Sequence, residues 1–188
     1  MGRPPAFPVT RIPASRWKRY VHFAIGLVVS ICATAQPPVS DEASVKAGFL
    51  VNFAKFVDWP ATASGTLDFC VIGDDRLAQD LETYVAGKQI GSRPLAVRAR
   101  PDLALLDTCS VVYIGRERKK IASQAALLLA GKQVLTVSEF PDLAAQGAVI
   151  NFFLDDERVR FEVHLAALRR AGLKISSKLL SLARIAGQ

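Results

Sequence analysis

Few residues of this chain are of types that do chemistry. The 188 residues include three cysteines, Cys32, Cys70 and Cys109, and two histidines, His22 and His164. A reactive thiol needs a C-x-x-C partner or a neighbouring base to lower its pKa, and neither is present. A zinc site needs closely spaced Cys and His ligands, which are also missing. Ser176-Ser177-Lys178 sets hydroxyls beside an ammonium, as Ser–Lys hydrolases require, but lacks S-x-x-K spacing and a supporting glycine-rich loop. Asp74-Asp75 is a paired carboxylate, yet its place directly after an apolar run reads as a helix cap. Asp155-Asp156-Glu157 has too few ligands, and no loop glycine, for calcium, so turn chemistry suffices. Gly115 followed by Arg116, Lys119 and Lys120 could bind an anion at a helix start. A single glycine, without a phosphate-binding fingerprint, favours a solvated helix start instead. There is no G-x-S-x-G elbow. The chain is read as a non-enzyme with no catalytic residue, metal or cofactor, and His164, at a strand end, as structural.

The elements that position these groups follow from periodicity. Phe69-Cys70-Val71-Ile72-Gly73 and Cys109-Ser110-Val111-Val112-Tyr113-Ile114-Gly115 are apolar runs ending in glycine, the pattern of strands buried on both faces. Before them, 41–59 reads as a helix. Val45, Phe49, Phe53 and Phe56 share one face, widened by Leu50 and Val57, and Lys46, Asn52, Lys55 and Asp58 take the other sides. Ser40, Asp41 or Ser44 supplies the cap, and Pro60 ends the helix. The helix after Asp74-Asp75 turns Leu77, Leu81, Tyr84 and Val85 inward. Residues 88–93 read as a polar turn, 95–99 as a strand near the sheet edge and 101–106 as a short helix. A helix from Arg116 runs through Ile121, Ala125, Leu128 and Leu129 to Gly131. Strands follow at 134–138 and 148–154, separated by a short helix, and 158–164 closes a hairpin. Helices end the chain, one at 165–171 and a last amphipathic one with Leu179, Leu182, Ala183 and Ala186 inside and Lys178, Ser181 and Arg184 outside. The order specifies α/β: a mainly parallel, mixed sheet of about six strands with a closing antiparallel hairpin and helices on both faces.

Charge and compartment are set by the N-terminus. Five of the 24 basic residues, and none of the 17 acidic ones, lie in 1–35, which leaves 19 against 17 beyond it. The basic balance is therefore no sign of nucleic-acid binding. Arg16-Trp17-Lys18-Arg19, an apolar run of roughly 14 residues and Ala33-Thr34-Ala35 read as a signal peptide over 1–35, cleaved near Ala35, with 36–188 as one exported domain. Ile31 before Cys32 argues against lipidation, so Cys32 goes with the leader. Two cysteines in an oxidising compartment favour a disulfide between Cys70 and Cys109, structural or redox-regulatory. The first and third buried strands must then be neighbours, with Cα atoms within about 7 Å.

Several stretches together resemble a known family. They are Lys46-Ala47-Gly48-Phe49-Leu50-Val51-Asn52-Phe53-Ala54-Lys55-Phe56-Val57-Asp58-Trp59-Pro60, the two glycine-ended strands, Ile150-Asn151-Phe152-Phe153, Arg160-Phe161-Glu162-Val163 and Gly172-Leu173-Lys174-Ile175-Ser176-Ser177-Lys178-Leu179-Leu180. In order and extent they are similar to the YfiR family of periplasmic proteins. The resemblance implies a dimeric, non-enzymatic regulator that represses an inner-membrane diguanylate cyclase through its periplasmic part, and so controls cyclic di-GMP and biofilm. It also implies an outer-membrane OmpA-like lipoprotein that sequesters the regulator. A cysteine pair matching Cys70 and Cys109 belongs to the family; the second pair of its better-known member is absent here. Candidate partner contacts are Lys46, Asn52 and Lys55 on the first helix, Arg116, Lys119 and Lys120 at the corner, and Lys178 and Arg184 on the last helix. The alternative is a periplasmic small-molecule sensor serving a histidine kinase or transporter, with its ligand at the carboxyl ends of the strands near Gly73-Asp74 and Gly115-Arg116.

Overall fold

A computed structural model describes residues 42–60 and 65–186. The signal peptide over 1–35, the segment 36–41 and its caps Ser40 and Asp41 lie outside these residues. Helix α1 spans Glu42–Phe56, followed by β1 (Val57–Asp58), β2 (Leu67–Ile72), α2 (Asp75–Val85), β3 (Gln89–Ile90) and β4 (Arg93–Ala99). A 3-10 helix, Leu103–Thr108, leads to β5 (Val111–Ile114), and a 3-10 turn, Arg116–Arg118, leads to α3 (Lys119–Leu129). Then come β6 (Leu135–Ser138), α4 (Leu143–Gln146), β7 (Ile150–Asp155), β8 (Arg158–His164), α5 (Leu165–Arg170), β9 (Lys174–Ile175), α6 (Ser177–Leu180) and β10 (Arg184–Ala186).

The strands form an eight-stranded sheet in the order β10-β8-β7-β6-β5-β2-β4-β3, with β1 and β9 paired separately. Strands β4, β2, β5, β6 and β7 are parallel, β10 runs parallel to β8, and the β7–β8 and β3–β4 pairs are antiparallel. The mixed α/β sheet is thus as read, but larger than six strands. The two extra edge strands are β3 and β10, of two and three residues. Strands that short show no period, so one was read as a turn and the other as helix.

Successive residues of the central strands point to opposite faces, and each face has its own core. Phe69, Val71, Val111, Tyr113, Leu135 and Val137 pack with α1, α2 and α5. Cys70, Ile72, Val112 and Ile114 pack with α3, α4 and the 3-10 helix through Ala122, Ala125, Leu129, Leu143 and Leu106. Helices on both faces follow because neither face of such strands tolerates water. Phe49 and Phe53 of α1 pack on Phe152 and Phe161, with Phe53 and Phe161 centroids 4.8 Å apart. Phe152 and Phe161 are themselves ladder partners, so the aromatic cluster joins α1 to the β7–β8 hairpin. That hairpin closes through Asp156 and Glu157, both left-handed (φ 47° and 60°), as a two-residue turn between twisted strands demands.

Five readings need correction. Helix α1 ends three residues before Trp59, because Val57 and Asp58 pair with Ile175 and Lys174 as β1 and β9. Its buried face is Ala43, Lys46, Ala47, Leu50, Phe53 and Ala54, rotated from the aromatic stripe. Ser44 lies inside the helix and donates to Asp80 of α2 rather than capping. Tyr84 (42% exposed) and Leu128 (47% exposed) face outward, since the inner faces are Leu77, Ala78, Leu81 and Val85 on α2 and Ala122, Ala125, Ala126 and Leu129 on α3. The last amphipathic helix is a single turn, α6, after which the chain turns into β10. Parallel pairing with β8 satisfies backbone groups there that a short helix would leave to water.

Cys70 and Cys109 are bonded, on adjacent elements, with Cα atoms 6.1 Å apart. The bond ties the end of the 3-10 helix, two residues before β5, to the middle of β2 inside the second core. In the chain-entropy treatment, a closed loop of about 40 residues is worth about 4 kcal/mol. The double variant Cys70→Ala/Cys109→Ala is expected to lose roughly that much in urea unfolding. A reducing agent should produce the same loss in the parent chain and none in the variant.

Candidate functional site

Strand β2 sends the chain to β4 on one side, and the chain then returns to β5 on the other. In open α/β sheets this divergence leaves a crevice at the carboxyl ends of the two strands, the usual ligand position. The loops leaving β2 and β5 meet there. Gly73 is left-handed (φ +72°), and a β-carbon on it would come within 2.8 Å of Arg118 Cγ. A β-carbon on Gly115 would come within 2.6 Å of the Gly73 carbonyl oxygen. The two strand-ending glycines therefore allow the loops to touch. Asp74 caps α2, its Oδ1 accepting from the Leu77 amide at 2.8 Å. The paired carboxylate is thus partly a cap, as read. Its partner Asp75 pairs with Arg100, whose guanidinium holds the Asp75 carboxyl below its ordinary value.

Beside these loops lies a cleft of about 260 Å³ lined by Glu42, Ala43, Lys46, Gly73, Asp74, Arg116, Glu117 and Glu139. Its floor is Glu139, the residue after β6, only 7% exposed. Lys46 Nζ donates to Glu139 Oε1 at 2.7 Å, and the Tyr113 hydroxyl donates to the same oxygen. Arg116 Nε lies 2.7 Å from Oε2. Lys46 also pairs with Glu42, one turn earlier on α1, at 2.5 Å. Burial raises the Glu139 pKa, and Lys46 opposes that rise. Glu42 is held below its ordinary value by the Lys46 ammonium. The arrangement is a closed ion network of side chains from α1, β5, the Arg116 corner and the end of β6. Among its side chains there is no serine, threonine, cysteine or histidine. Four carboxylates against two cations also oppose a phosphate at this helix start.

A second polar cluster sits at the hairpin edge. Glu162 Oε2 receives Arg184 Nη2 at 2.5 Å and Nε at 2.9 Å, while His164 Nε2 lies 3.2 Å from Oε1. Asn151, the ladder partner of Glu162, donates to Oε1 at 3.4 Å. Arg184 covers the Phe153 ring at 4.0 Å. Burial raises the Glu162 carboxyl, but Arg184 and His164 together bring it below its ordinary value.

The eight candidate contact residues fall into separate places. Lys46 is buried in the ion network and offers no contact to a partner, a correction that follows from its place on the inner face of α1. Arg116 is joined to it through Glu139. Lys119 and Lys120 are exposed at the start of α3, and Asn52 and Lys55 on the outer side of α1. Lys178 lies 5.8 Å over the Phe56 ring, close to Lys55 in the chain. Arg184 is committed to Glu162. The Ser176 hydroxyl accepts from the Leu179 amide as the cap of α6, and Ser177 and Lys178 beside it are exposed. Sequence reasoning missed Glu139 and Tyr113. Glu139 stands alone after an apolar strand, and only its neighbours in space give it meaning. No group of three or more His, Cys, Asp or Glu suited to a metal occurs among the described residues.

The stretches that met as motifs also meet in space, with Asn151-Phe152 opposite Glu162-Phe161 across the hairpin. A family model described as YfiR/HmsC-like matches residues 43–184. The chain belongs to the YfiR/HmsC-like family. The family is one of periplasmic regulatory proteins rather than catalysts, and no helix among the described residues is long and apolar enough to cross a membrane. Two solved structures share the fold. One is a conserved domain protein from Vibrio cholerae O1 biovar El Tor, with TM-score 0.55 and 9% identity over 76% of this chain and 59% of that one. The other is an ABC domain in complex with L-Trp from Streptococcus pneumoniae, with TM-score 0.51 and 6% identity over 77% of this chain and 60% of that one. This chain thus spans about 60% of the length of both.

Removing one member of the network should cost more than removing the pair. Lys46→Met leaves Glu139 buried with less compensation and is expected to lose about 3–5 kcal/mol, while Lys46→Met/Glu139→Leu loses less. Equal losses in urea unfolding would contradict the coupling. For Glu162 the sign runs with acid. Its folded-state pKa lies below the ordinary 4.5, so its contribution is present above pH 4.5 and disappears as pH falls through the folded value. Glu162→Gln should cost about 1–3 kcal/mol at pH 7 and progressively less below pH 4.5.

Proposed function

We propose that this chain is an exported repressor that holds the periplasmic part of an inner-membrane diguanylate cyclase in its inactive conformation, so lowering cyclic di-GMP and biofilm formation. The observation that carries this reading is family membership over residues 43–184. The geometry agrees with it. The crevice where such a sheet would hold a substrate is crossed by the protein's own ion network, and no catalytic grouping lines it. Lys55, Lys119 and Lys120 are exposed and make no ion pair among the described residues, which leaves them available to an acidic partner surface. Repression requires tighter binding to one cyclase state than to the other. A homodimer, and an OmpA-like lipoprotein that competes for the regulator, belong to the same proposal. Deleting the gene should raise cellular cyclic di-GMP several-fold, and the parent chain should restore it. Lys119→Glu/Lys120→Glu should fail to restore it at equal protein level and unchanged melting. Unchanged cyclic di-GMP on deletion would overturn the reading.

A second reading, a small-molecule sensor for a histidine kinase or transporter, is favoured by the open cleft of about 260 Å³ at the strand ends. One similar fold was solved with L-Trp bound, which is a property of that protein. Saturable calorimetric binding of an amino acid, abolished by Arg116→Ala, together with unchanged cyclic di-GMP on deletion, would favour this reading over the first.

A further inference from the structure

At the end of the sheet opposite the crevice, the surface is basic. The segment 169–178 carries Arg169, Arg170, Lys174 and Lys178, all exposed, and no acid. Other parts of the chain bring cations to both ends of it. The last turn of α3 and its following loop abut it, with a β-carbon on Gly131 4.0 Å from the Arg170 carbonyl oxygen and one on Gly172 3.7 Å from Gln133. This sets exposed Lys132 beside the arginines. At the other end the Ser176 amide donates to the Phe56 carbonyl, which brings Lys55 next to Lys178. None of these six cations makes an ion pair among the described residues; the acids beside them are exposed Asp58, opposite Lys174 in the β1–β9 ladder, and exposed Asp107, which lines one hollow with Gln133. Outside this surface, acids outnumber bases in residues 36–188. This end of the domain therefore carries a net positive charge, while at the crevice end Arg116, Arg118, Lys119 and Lys120 stand among acids.

Exposed leucines flank the cations. Leu127 and Leu128, 63% and 47% exposed, end α3 just before Lys132, and Leu182, 69% exposed, follows Lys178 by one turn. Lysines and arginines bordered by large exposed apolar side chains match a surface that is anionic above and hydrocarbon below. An acidic protein would match the cations but gives no comparable reason for leucines at both margins. We propose that this basic end is a peripheral docking surface for an anionic phospholipid bilayer, with Leu127, Leu128 and Leu182 entering the headgroup boundary. Such docking is weak and reversible, as few side chains reach the interface. It does not depend on the identity of the protein partner.

The test uses residues 40–188, which contain both cores and form one compact unit, so that the basic N-terminal stretch contributes nothing. Co-sedimentation is measured with phosphatidylcholine vesicles and with vesicles containing about 30% phosphatidylglycerol. The domain should pellet with the anionic vesicles about tenfold more than with the neutral ones, and be released by 0.5 M salt, about five times the ionic strength at which the Debye length is 10 Å. Arg169→Glu/Arg170→Glu/Lys174→Glu should lose that binding. Arg158→Glu, at the far end of the hairpin, should keep it, and so should melt-matched preparations of the parent chain. If the triple variant melts early, Lys132→Glu/Lys178→Glu and Leu127→Ser/Leu182→Ser are read instead, each expected to reduce pelleting several-fold. Equal pelleting with both vesicle types, or pelleting indifferent to charge reversal, overturns the proposal. So does absence of vesicle binding with salt-dependent retention on polyglutamate, which would assign the surface to an acidic protein.

Discussion

A carboxylate buried at the head of the sheet sets the terms on which the first helix packs. Glu139 follows a fully buried strand, and its charge cannot be left alone in that position. Lys46, Tyr113 and Arg116 converge on it, and each comes from a different element. Lys46 reaches it only if α1 lies with its small residues Ala43, Ala47 and Ala54 against the sheet. The ion network therefore fixes the rotation of α1 about its axis, and with it which aromatic side chains enter the core.

The same rotation explains the division of labour along α1. Phe53 is fully buried and contacts both Phe152 and Phe161, while Phe49 packs over the same pair from a half-buried position. At its amino end the helix is held by charge, and at its carboxyl end by the β1–β9 pairing. The hairpin it covers is stapled across its own outer strand by Glu162 and Arg184, which draws β10 onto the edge of the sheet. The disulfide acts on the opposite face, where the second core is smaller.

These constraints leave a domain whose interior is filled by its own contacts. The crevice at the strand divergence is narrowed by the Gly73–Gly115 contact and occupied in part by the protein's own side chains. The two ends of the sheet differ, with a mixed-charge face at the carboxyl ends of the strands and a basic, leucine-bordered face at the other end.

The two glycine-ended strands, the α/β class, helices on both faces, the hairpin and the neighbouring cysteines were all legible in the residues. Each depends on local period, on turn chemistry or on redox compartment, and these are properties of short stretches. The family, too, was legible, because its motifs are contiguous. Lys46 was misread because residue type outweighed residue position. By spacing it falls with Ala43, Ala47, Leu50 and Ala54 on the inner face, but a lysine is placed outside unless its counter-charge is known, and that counter-charge lies 93 residues away. Strands β3 and β10 were misread because two or three residues carry no period, and only a neighbouring strand offering hydrogen bonds decides their state. Sequence alone determined which segments must be buried. Tertiary structure decided which buried charge meets which partner, because that depends on distances between elements that no local pattern encodes.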